Sequence, residues 1–96
     1  MRVRFTQTAL NEIDAIFSYI AKDNRFAAAE ILGIIEATIA RLKEYPRMAV
    51  ETNIPGVRVA LTLPHPYLIF YSIENEALIV RNVRHAARRR PESPRS

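Results

Sequence analysis

The fold is decided by residues 57–85, which read VRVALTLPHPYLIFYSIENEALIVRNVRH. Three runs within this stretch, 57–63, 67–73 and 77–85, are rich in the β-branched and aromatic residues that are typical of strands. The connections between the runs, PHP and ENE, are too short for a crossover and therefore join antiparallel neighbours. The stretch predicts an antiparallel meander of three strands.

Alternation within the first of these runs predicts which of its faces is buried. One face is wholly aliphatic, whereas the other mixes charged, small and polar side chains. The aliphatic face consists of Val57, Val59, Leu61 and Leu63. We expect helices to cover this aliphatic face.

The N-terminal half of the chain predicts one strand and two helices. Residues 2–5 alternate charged and apolar side chains, which is the period of a half-buried strand. Thr6 or Thr8 can then cap a helix of about 15 residues with apolar side chains at every third or fourth position. After a turn signal at 23–24, a second amphipathic helix ends at Tyr45, because a proline follows. Helices joined so closely pack as an antiparallel hairpin.

The predicted element order is β-α-α-β-β-β, and residues 46–55 are interpreted as a loop because they show no period. This order predicts an α+β domain in which a helical hairpin packs on one side of a small, mainly antiparallel sheet. We expect a single domain over residues 1–88. Residues 89–96 are expected to form a basic, flexible tail, since they leave nothing apolar to bury.

The composition excludes several classes of protein. The 96 residues include no cysteine, which removes disulfides and thiolate metal sites and fits a reducing cytosol. With two histidines, scattered acids and two isolated glycines, neither a metal site, nor a phosphate loop, nor a cofactor is expected. No apolar run approaches the roughly 18 residues that span a bilayer, so a cytoplasmic protein without membrane association is expected.

The positive charge of the chain is concentrated near its C-terminal end. The formal net charge is +4, and residues 81–96 hold six arginines against one acid, Glu92. A basic segment attracts acidic proteins and nucleic acids alike, so composition leaves both kinds of partner open. We favour a protein partner over direct nucleic-acid binding.

Several short motifs follow one another along the chain: TALNEI at 8–13, YI at 19–20, LKEYP at 42–46, GVR at 56–58, YLIFY at 67–71 and VRHAAR at 83–88. Each motif is short, but their order and spacing together are specific. Taken in this order, the motifs resemble the RelE/ParE superfamily of bacterial toxins, and the ParE branch in particular. The resemblance runs from about Val3 to Arg88 and covers nearly the whole predicted domain.

The resemblance implies the toxin of a type II toxin–antitoxin module, a gene pair that stabilises a plasmid or a chromosomal region. A cognate antitoxin, ParD-like or similar, would neutralise the toxin by wrapping its C-terminal segment around it in a hetero-oligomer. ParE-like members are associated with inhibition of DNA gyrase. RelE-like members are ribosome-dependent endonucleases that cut messenger RNA. Because the fold is shared, the fold alone does not choose between the two activities.

The nuclease alternative can be compared with the residues that RNA cleavage needs. Cleavage without a metal requires an acid and a base, together with cations that stabilise the charged phosphorane. Arg58 and Arg81 could supply the charge, and His85 could transfer protons near neutral pH. However, Ala86 and Ala87 stand where several such nucleases place a tyrosine. His85 is also open to a structural interpretation, as a strand residue hydrogen-bonded to the backbone or to an acid.

We therefore predict a ParE-like toxin that inhibits DNA gyrase by binding, with no catalytic residue of its own. The predicted surface for toxic action consists of Arg84, Arg88, Arg89 and Arg90. The antitoxin is expected to lay an amphipathic segment across the helical hairpin and the edge of the sheet. This segment would bury apolar side chains and pair its acids with arginines of the toxin.

Overall fold

The computed structural model describes residues 1–87 as two helices packed against one face of a five-stranded sheet. In chain order the elements are β1 (Arg2–Phe5), α1 (Gln7–Ala21), α2 (Arg25–Glu44), β2 (Val50–Glu51), β3 (Val57–Leu61), β4 (Tyr67–Glu74) and β5 (Ala77–His85). The predicted α+β class and helical hairpin are confirmed. Arg88 and the tail predicted for residues 89–96 lie outside the described residues.

Side-chain caps define where both helices begin. Thr6, rather than Thr8, caps α1, and its hydroxyl accepts a hydrogen bond from the Ala9 amide at 3.0 Å. The Asn24 side chain caps α2 in the same way, accepting from the Ala27 amide at 3.0 Å. Such caps satisfy amide groups that have no partner within the helix. Because only a short turn joins the end of α1 to the start of α2, the two helices run antiparallel.

The sheet has the strand order β1-β5-β4-β3-β2. β3, β4 and β5 form the predicted antiparallel meander, whereas β1 pairs with β5 in parallel and aligns Phe5 with Val80. The last strand that the structure describes, β5, therefore lies inside the sheet, between β1 and β4. A bulge between Phe70 and Tyr71 shifts the register with β5, so that Phe70 faces Asn82 and Tyr71 faces Val80.

One face of the sheet, the covered face, packs against the hairpin and forms the core. Ile69, Tyr71, Leu78 and Val80 have no exposed surface and cluster with α2 side chains that include Ile35. Together with the fully buried Leu42, these side chains supply most of the hydrophobic stabilisation, because burial of an aliphatic side chain contributes about 1.5–3 kcal/mol. The hairpin and the sheet are therefore one folding unit.

The face assigned to β3 from its sequence is wrong. Ala60 is opposite the buried Ile69, and alternation along the strand then places Arg58 and Ala60 on the covered face. Val57, Val59 and Leu61 point away from the helices, and Leu61 is 52% exposed. The sequence pattern misled because a charged residue, Arg58, lies on the covered face, where its guanidinium is hydrogen-bonded to backbone carbonyls.

The segment interpreted as a loop contains the short strand β2, which is a second correction. Val50 pairs with Val59, and Glu51 pairs with Arg58, at the outer edge of β3. The segment that leads into β2 is held against the covered face by Tyr71, whose hydroxyl donates a hydrogen bond to the Pro46 carbonyl at 2.6 Å. A strand of two residues has no periodicity to detect, so the sequence pattern gave no indication of it.

Candidate partner-binding surface

The face of the sheet opposite the helices carries the exposed apolar and basic side chains of the strands. Alternation from the observed registers assigns its members. This open sheet face has an apolar stripe of Val50, Val57, Val59, Leu61, Leu68, Phe70 and Ile79. Val50 is 71% exposed and Leu61 is 52% exposed. An exposed apolar stripe bordered by polar groups is typical of an interaction site.

Arginines border the apolar stripe of the open sheet face. Arg2 and Arg4 lie on it at the β1 edge, where Arg4 is opposite Ile79. The guanidinium carbon of Arg84 lies 5.4 Å from the centre of the Phe70 ring, within the range of a cation–π contact. Arg81 reaches Glu74, with 3.5 Å between a guanidinium nitrogen and a carboxylate oxygen. The arrangement suits a partner that presents both apolar side chains and carboxylates.

The three residues predicted for a nuclease lie on different faces of the sheet. Arg58 and His85 are on the covered face, opposite Tyr71 and Tyr67 respectively, whereas Arg81 contacts Glu74 on the open sheet face. Tyr71 lies four positions after Tyr67 along β4, which is roughly 13 Å at about 3.3 Å per residue. The structure does not bring the three residues together at one reacting position.

Arg58 is engaged in holding the segment before β2. Its Nη1 donates to the carbonyls of Ala49 at 2.7 Å and Arg47 at 3.2 Å, and its Nη2 pairs with Glu51 at 3.0 Å. Only 18% of the Arg58 side chain is exposed. These contacts direct the guanidinium toward the β2 edge, away from the β5 end where His85 lies.

His85 makes local contacts at the end of β5. Its Nδ1 accepts a hydrogen bond from the Ala87 amide at 3.1 Å, and its ring meets Tyr67 edge-on at a centroid distance of 5.1 Å. The hydrogen bond from Ala87 fits the structural interpretation, in which the histidine is hydrogen-bonded to the backbone or to an acid at the end of its strand. The two contacts fix the ring and the turn that follows it.

Tyr71 connects the core to the segment before β2. Burial raises the pKa of the Tyr71 hydroxyl, although the positive charge of Arg58 and a backbone hydrogen bond to Ala49 act in the opposite direction. The hydroxyl also donates to Pro46, so ionisation would remove a donor from a buried contact. Tyr71 is therefore a structural tyrosine held in its neutral form.

Among the four arginines predicted for toxic action, only Arg84 lies in the part of the chain that the structure describes. It is half-buried on the open sheet face, beside Phe70. Arg88, Arg89 and Arg90 lie outside the described residues.

Glu12 of α1 is a contact residue of this surface that the sequence interpretation missed. One of its carboxylate oxygens accepts a hydrogen bond from the Val83 amide at 2.7 Å, and the other lies 3.8 Å from Nε of Arg84. In the sequence Glu12 reads as one more acid on the polar face of an amphipathic helix. Only the position of α1 against β5 reveals its contact, and no local pattern encodes that position.

Neither a membrane span nor a cluster of metal ligands is found between residues 1 and 87. No helix in this range is long and apolar enough to cross a bilayer. Within the same range, no group of three or more His, Cys, Asp or Glu side chains is placed to hold a metal ion.

Comparison with known proteins identifies the family. Residues 3–90 match the family model described as the ParE toxin of the type II toxin–antitoxin system, parDE. The Putative toxin Y4kP of Sinorhizobium fredii (strain NBRC 101917 / NGR234) is 34% identical over 91 residues. That alignment covers 95% of this chain and 94% of Y4kP, so the likeness extends over both proteins almost completely.

Solved structures share the fold at low sequence identity. The chromosomal ParDE TA system from P. aeruginosa superposes with a TM-score of 0.76 at 17% identity, covering 88% of this chain and 95% of that one. The intact E. coli RelBE toxin–antitoxin complex gives a TM-score of 0.64 at 18% identity, covering 91% and 98%. The isolated E. coli RelE toxin gives 0.65 at 17% identity, covering 92% and 86%.

The helical hairpin on a five-stranded sheet, together with these matches, defines a toxin of the RelE/ParE superfamily. Within that superfamily, the chain belongs to the ParE toxin family of type II toxin–antitoxin systems.

Proposed function

We propose that this toxin acts by binding and inhibiting DNA gyrase, and that a cognate ParD-like antitoxin neutralises it in the cytoplasm. The single observation that carries the proposal is the ParE family match over residues 3–90. The separation of Arg58, Arg81 and His85 supports it, because a binding inhibitor needs no convergence of catalytic groups. The module would stabilise the plasmid or the chromosomal region that encodes it.

The proposed target surface combines Arg84 on the open sheet face with the basic residues that follow β5. The Arg84 guanidinium is delocalised and weakly hydrated, and it already lies beside an aromatic ring. Such a group can pair with a carboxylate of the target while its flat face remains on the ring. Arg88, Arg89 and Arg90 would extend this positive region along the target, as the sequence predicts.

The proposed antitoxin contact also lies on the open sheet face and extends to its β2 edge. The outer surface of the hairpin has exposed apolar side chains too, including Tyr19 and Phe26, but acids such as Asp14, Glu36 and Glu44 are spread over it. On the open sheet face arginines outnumber acids, which favours an acidic amphipathic segment. Shared use of this face would let the antitoxin block the target by occupying the same arginines.

Supercoiling of relaxed plasmid by purified gyrase, measured as the toxin is titrated in, tests the proposal. Inhibition that the antitoxin relieves is the expected result. Arg84→Gln should weaken inhibition by about tenfold or more, consistent with removal of a charged contact worth roughly 1.5–3 kcal/mol. Arg25→Gln, a matched change of an exposed arginine on α2, should leave inhibition unchanged.

Truncation after Ala87 tests the basic tail separately. The truncated chain retains all seven elements and should fold, yet it should no longer be toxic. A folded, fully toxic truncation would contradict the assignment of Arg88, Arg89 and Arg90.

The same assays test the RelE-like alternative. Wild-type protein that leaves gyrase unaffected but cuts messenger RNA on ribosomes would reject gyrase inhibition in favour of the RelE-like activity. Loss of that cutting in an Arg58→Ala, His85→Ala double variant that still folds would then support a catalytic role for those residues.

The antitoxin complex should depend mainly on apolar burial rather than on ion pairs. Exposed ion pairs contribute roughly 0–1 kcal/mol each and are screened by salt. The free energy gained by burying the apolar stripe is not screened by salt. Raising the salt to about 0.5 M should therefore slow association more than it weakens the complex. Collapse of the equilibrium affinity at that salt would contradict a contact centred on the apolar stripe, and Leu61→Asp should weaken binding at any salt.

A further inference from the structure

The outer edge of β5 lacks a neighbouring strand over its second half. β1 accompanies β5 only as far as Val80, because the chain leaves the sheet at Thr6 to enter α1. In the region the structure describes, no strand lies beside 81–85 on this side. The N–H and C=O groups along such an edge need other hydrogen-bond partners, because leaving them unpaired costs free energy. An edge that is left open can also pair with another chain.

Side chains from the start of α1 supply those partners. The Thr6 amide donates to the Val80 carbonyl at 3.0 Å, and the Thr6 hydroxyl donates to the Arg81 carbonyl at 2.8 Å. Six residues further along the chain, Glu12 accepts from the Val83 amide at 2.7 Å. This last bond has the short length typical of a charge-assisted hydrogen bond. The helix therefore continues the edge pairing that β1 begins.

The Glu12 carboxylate also reaches the side chains of the strand. The carboxylate oxygen that accepts from the Val83 backbone amide also lies 3.5 Å from Nδ2 of the Asn82 side chain. The other oxygen lies 3.8 Å from Nε of Arg84. The guanidinium of Arg84 in turn lies over the Phe70 ring. Arg84 is thus placed between a carboxylate at the edge of the sheet and an aromatic ring on its open face.

The partial burial of this pair makes its geometry more defined than that of a surface ion pair. The side chains of Glu12 and Arg84 are 27% and 26% exposed, whereas the Arg81–Glu74 pair is 43% and 56% exposed. Limited exposure reduces screening, and the bond to Val83 fixes the carboxylate before it meets the guanidinium. An arginine held in this way loses less side-chain entropy when it binds a partner.

We propose that Glu12 is a positioning residue of the target surface, which holds Arg84 against Phe70 in the orientation that contacts the target. This inference rests on the proposed function, in which Arg84 is a target contact. Glu12 itself stays at the sheet edge and does not touch the target. Its contribution passes through the charge on the oxygen that faces Arg84, separately from the hydrogen bond to Val83.

Glu12→Gln separates these two roles of the carboxylate. The amide oxygen of glutamine can still accept from Val83, so the variant should unfold within a few degrees of the wild type. It should nevertheless weaken gyrase inhibition by about fivefold, which corresponds to about 1 kcal/mol. Asp14→Asn is the matched control, because Asp14 is an exposed acid on the same helix, and it should have no effect.

A double-variant cycle shows whether Glu12 acts through Arg84. In an Arg84→Gln background, Glu12→Gln should cause no further loss of inhibition. Equal losses in both backgrounds, or full inhibition by Glu12→Gln alone, would overturn the proposal.

A measurement on the free toxin keeps the inference separate from the proposed function. The Nε–H proton of Arg84, followed by NMR, should exchange with water several times faster in Glu12→Gln than in the wild type or in Asp14→Asn. Unchanged exchange would overturn the positioning role whatever the target is. Absence of gyrase inhibition by the wild type, together with faster exchange in Glu12→Gln, would reject gyrase as the target and leave the positioning of Arg84 supported.

Discussion

The two faces of the sheet use similar side chains for different purposes. The covered face holds Ile69, Tyr71 and Val80, none of which has exposed surface. The guanidinium of Arg58 on this face donates hydrogen bonds to two backbone carbonyls and to Glu51. The open sheet face holds an apolar stripe that is partly exposed and arginines at its border, including Arg84. Arginine on the covered face holds the segment before β2, whereas Arg84 on the open sheet face is proposed to contact a partner.

This difference teaches that stability and recognition are assigned to opposite sides of the same strands. Alternation makes this division possible, because neighbouring residues of one strand point to opposite faces. Substitutions on the covered face should therefore change the free energy of unfolding, and substitutions on the open sheet face should change binding. Three predictions test this division and a fourth tests the turn that joins β4 to β5; their expected effects decrease in the order given.

The largest effect is expected from truncation of a core side chain. Ile69→Ala should lower the free energy of unfolding by about 3 kcal/mol, because it removes buried methylene groups and leaves a cavity in the core. Leu61→Ala, the corresponding change on the open sheet face, should lower it by less than about 1 kcal/mol. Urea unfolding followed by circular dichroism measures both values. Similar losses for the two variants would contradict the division.

Loss of the Arg58 guanidinium should have the next largest effect. Arg58→Gln should lower the free energy of unfolding by about 2 kcal/mol, since the carbonyls of Arg47 and Ala49 lose a charged donor. Arg4→Gln makes the same change at an exposed position of the open sheet face, and should alter stability by less than about 0.5 kcal/mol. Amide hydrogen exchange should also accelerate at Val50, which pairs with Val59, in Arg58→Gln only. Retained protection there would show that β2 does not depend on Arg58.

Alkaline pH should destabilise the protein through Tyr71. Its pKa in the folded protein is raised above the ordinary value of 10.0, so the folded state keeps a proton that the unfolded state loses. Stability from this source is complete below about pH 10 and declines above it, by at most about 1.4 kcal/mol per pH unit. Urea titrations from pH 9 to pH 11 should show a steeper decline for the wild type than for Tyr71→Phe. Parallel curves would contradict the raised pKa.

The smallest effect is expected at the turn between β4 and β5. Asn75 and Glu76 both have positive φ, at 49° and 59°, the conformation of a tight two-residue hairpin turn. Glutamate rarely adopts it, and glycine does so without steric penalty. Glu76→Gly should therefore raise the free energy of unfolding by about 0.5–1 kcal/mol. Asn75→Gly should gain less, because asparagine tolerates this conformation. A loss of stability in Glu76→Gly would show that its side chain contributes more than its backbone strain removes.

Local patterns in the sequence predicted most of the elements. The bounds of β1 and β5 agree with the prediction, and α1 has its predicted length because capping and apolar periodicity are local signals. The buried face of β3 was not predictable, because alternation shows that two faces differ but not which one meets the helices. Which face of β3 meets the helices depends on the register of β3 with β4 and on the backbone carbonyls that accept hydrogen bonds from Arg58. Both are properties of the tertiary structure.

The candidate surface was only partly predictable for the same reason. The basic character of the β5 end was evident from the sequence, and Arg84 lies on the open sheet face. The contact between Glu12 and Arg84 joins residues 72 positions apart, and no spacing rule connects them. The parts of the surface that depend on a single strand could be inferred, and those that depend on two packed elements required the structure.

The position of β5 has a consequence for synthesis of the toxin. Thr6 and Arg81, which share a hydrogen bond, are 75 positions apart, and β1 finds its partner only in the last strand of the domain. Contacts between distant parts of a chain form late, because closing a long loop reduces the entropy of the chain. A nascent chain that ends before residue 77 lacks the strand that joins β1 to β4, so prematurely terminated products cannot assemble the sheet. We therefore expect toxicity to begin only when translation of the domain is nearly complete.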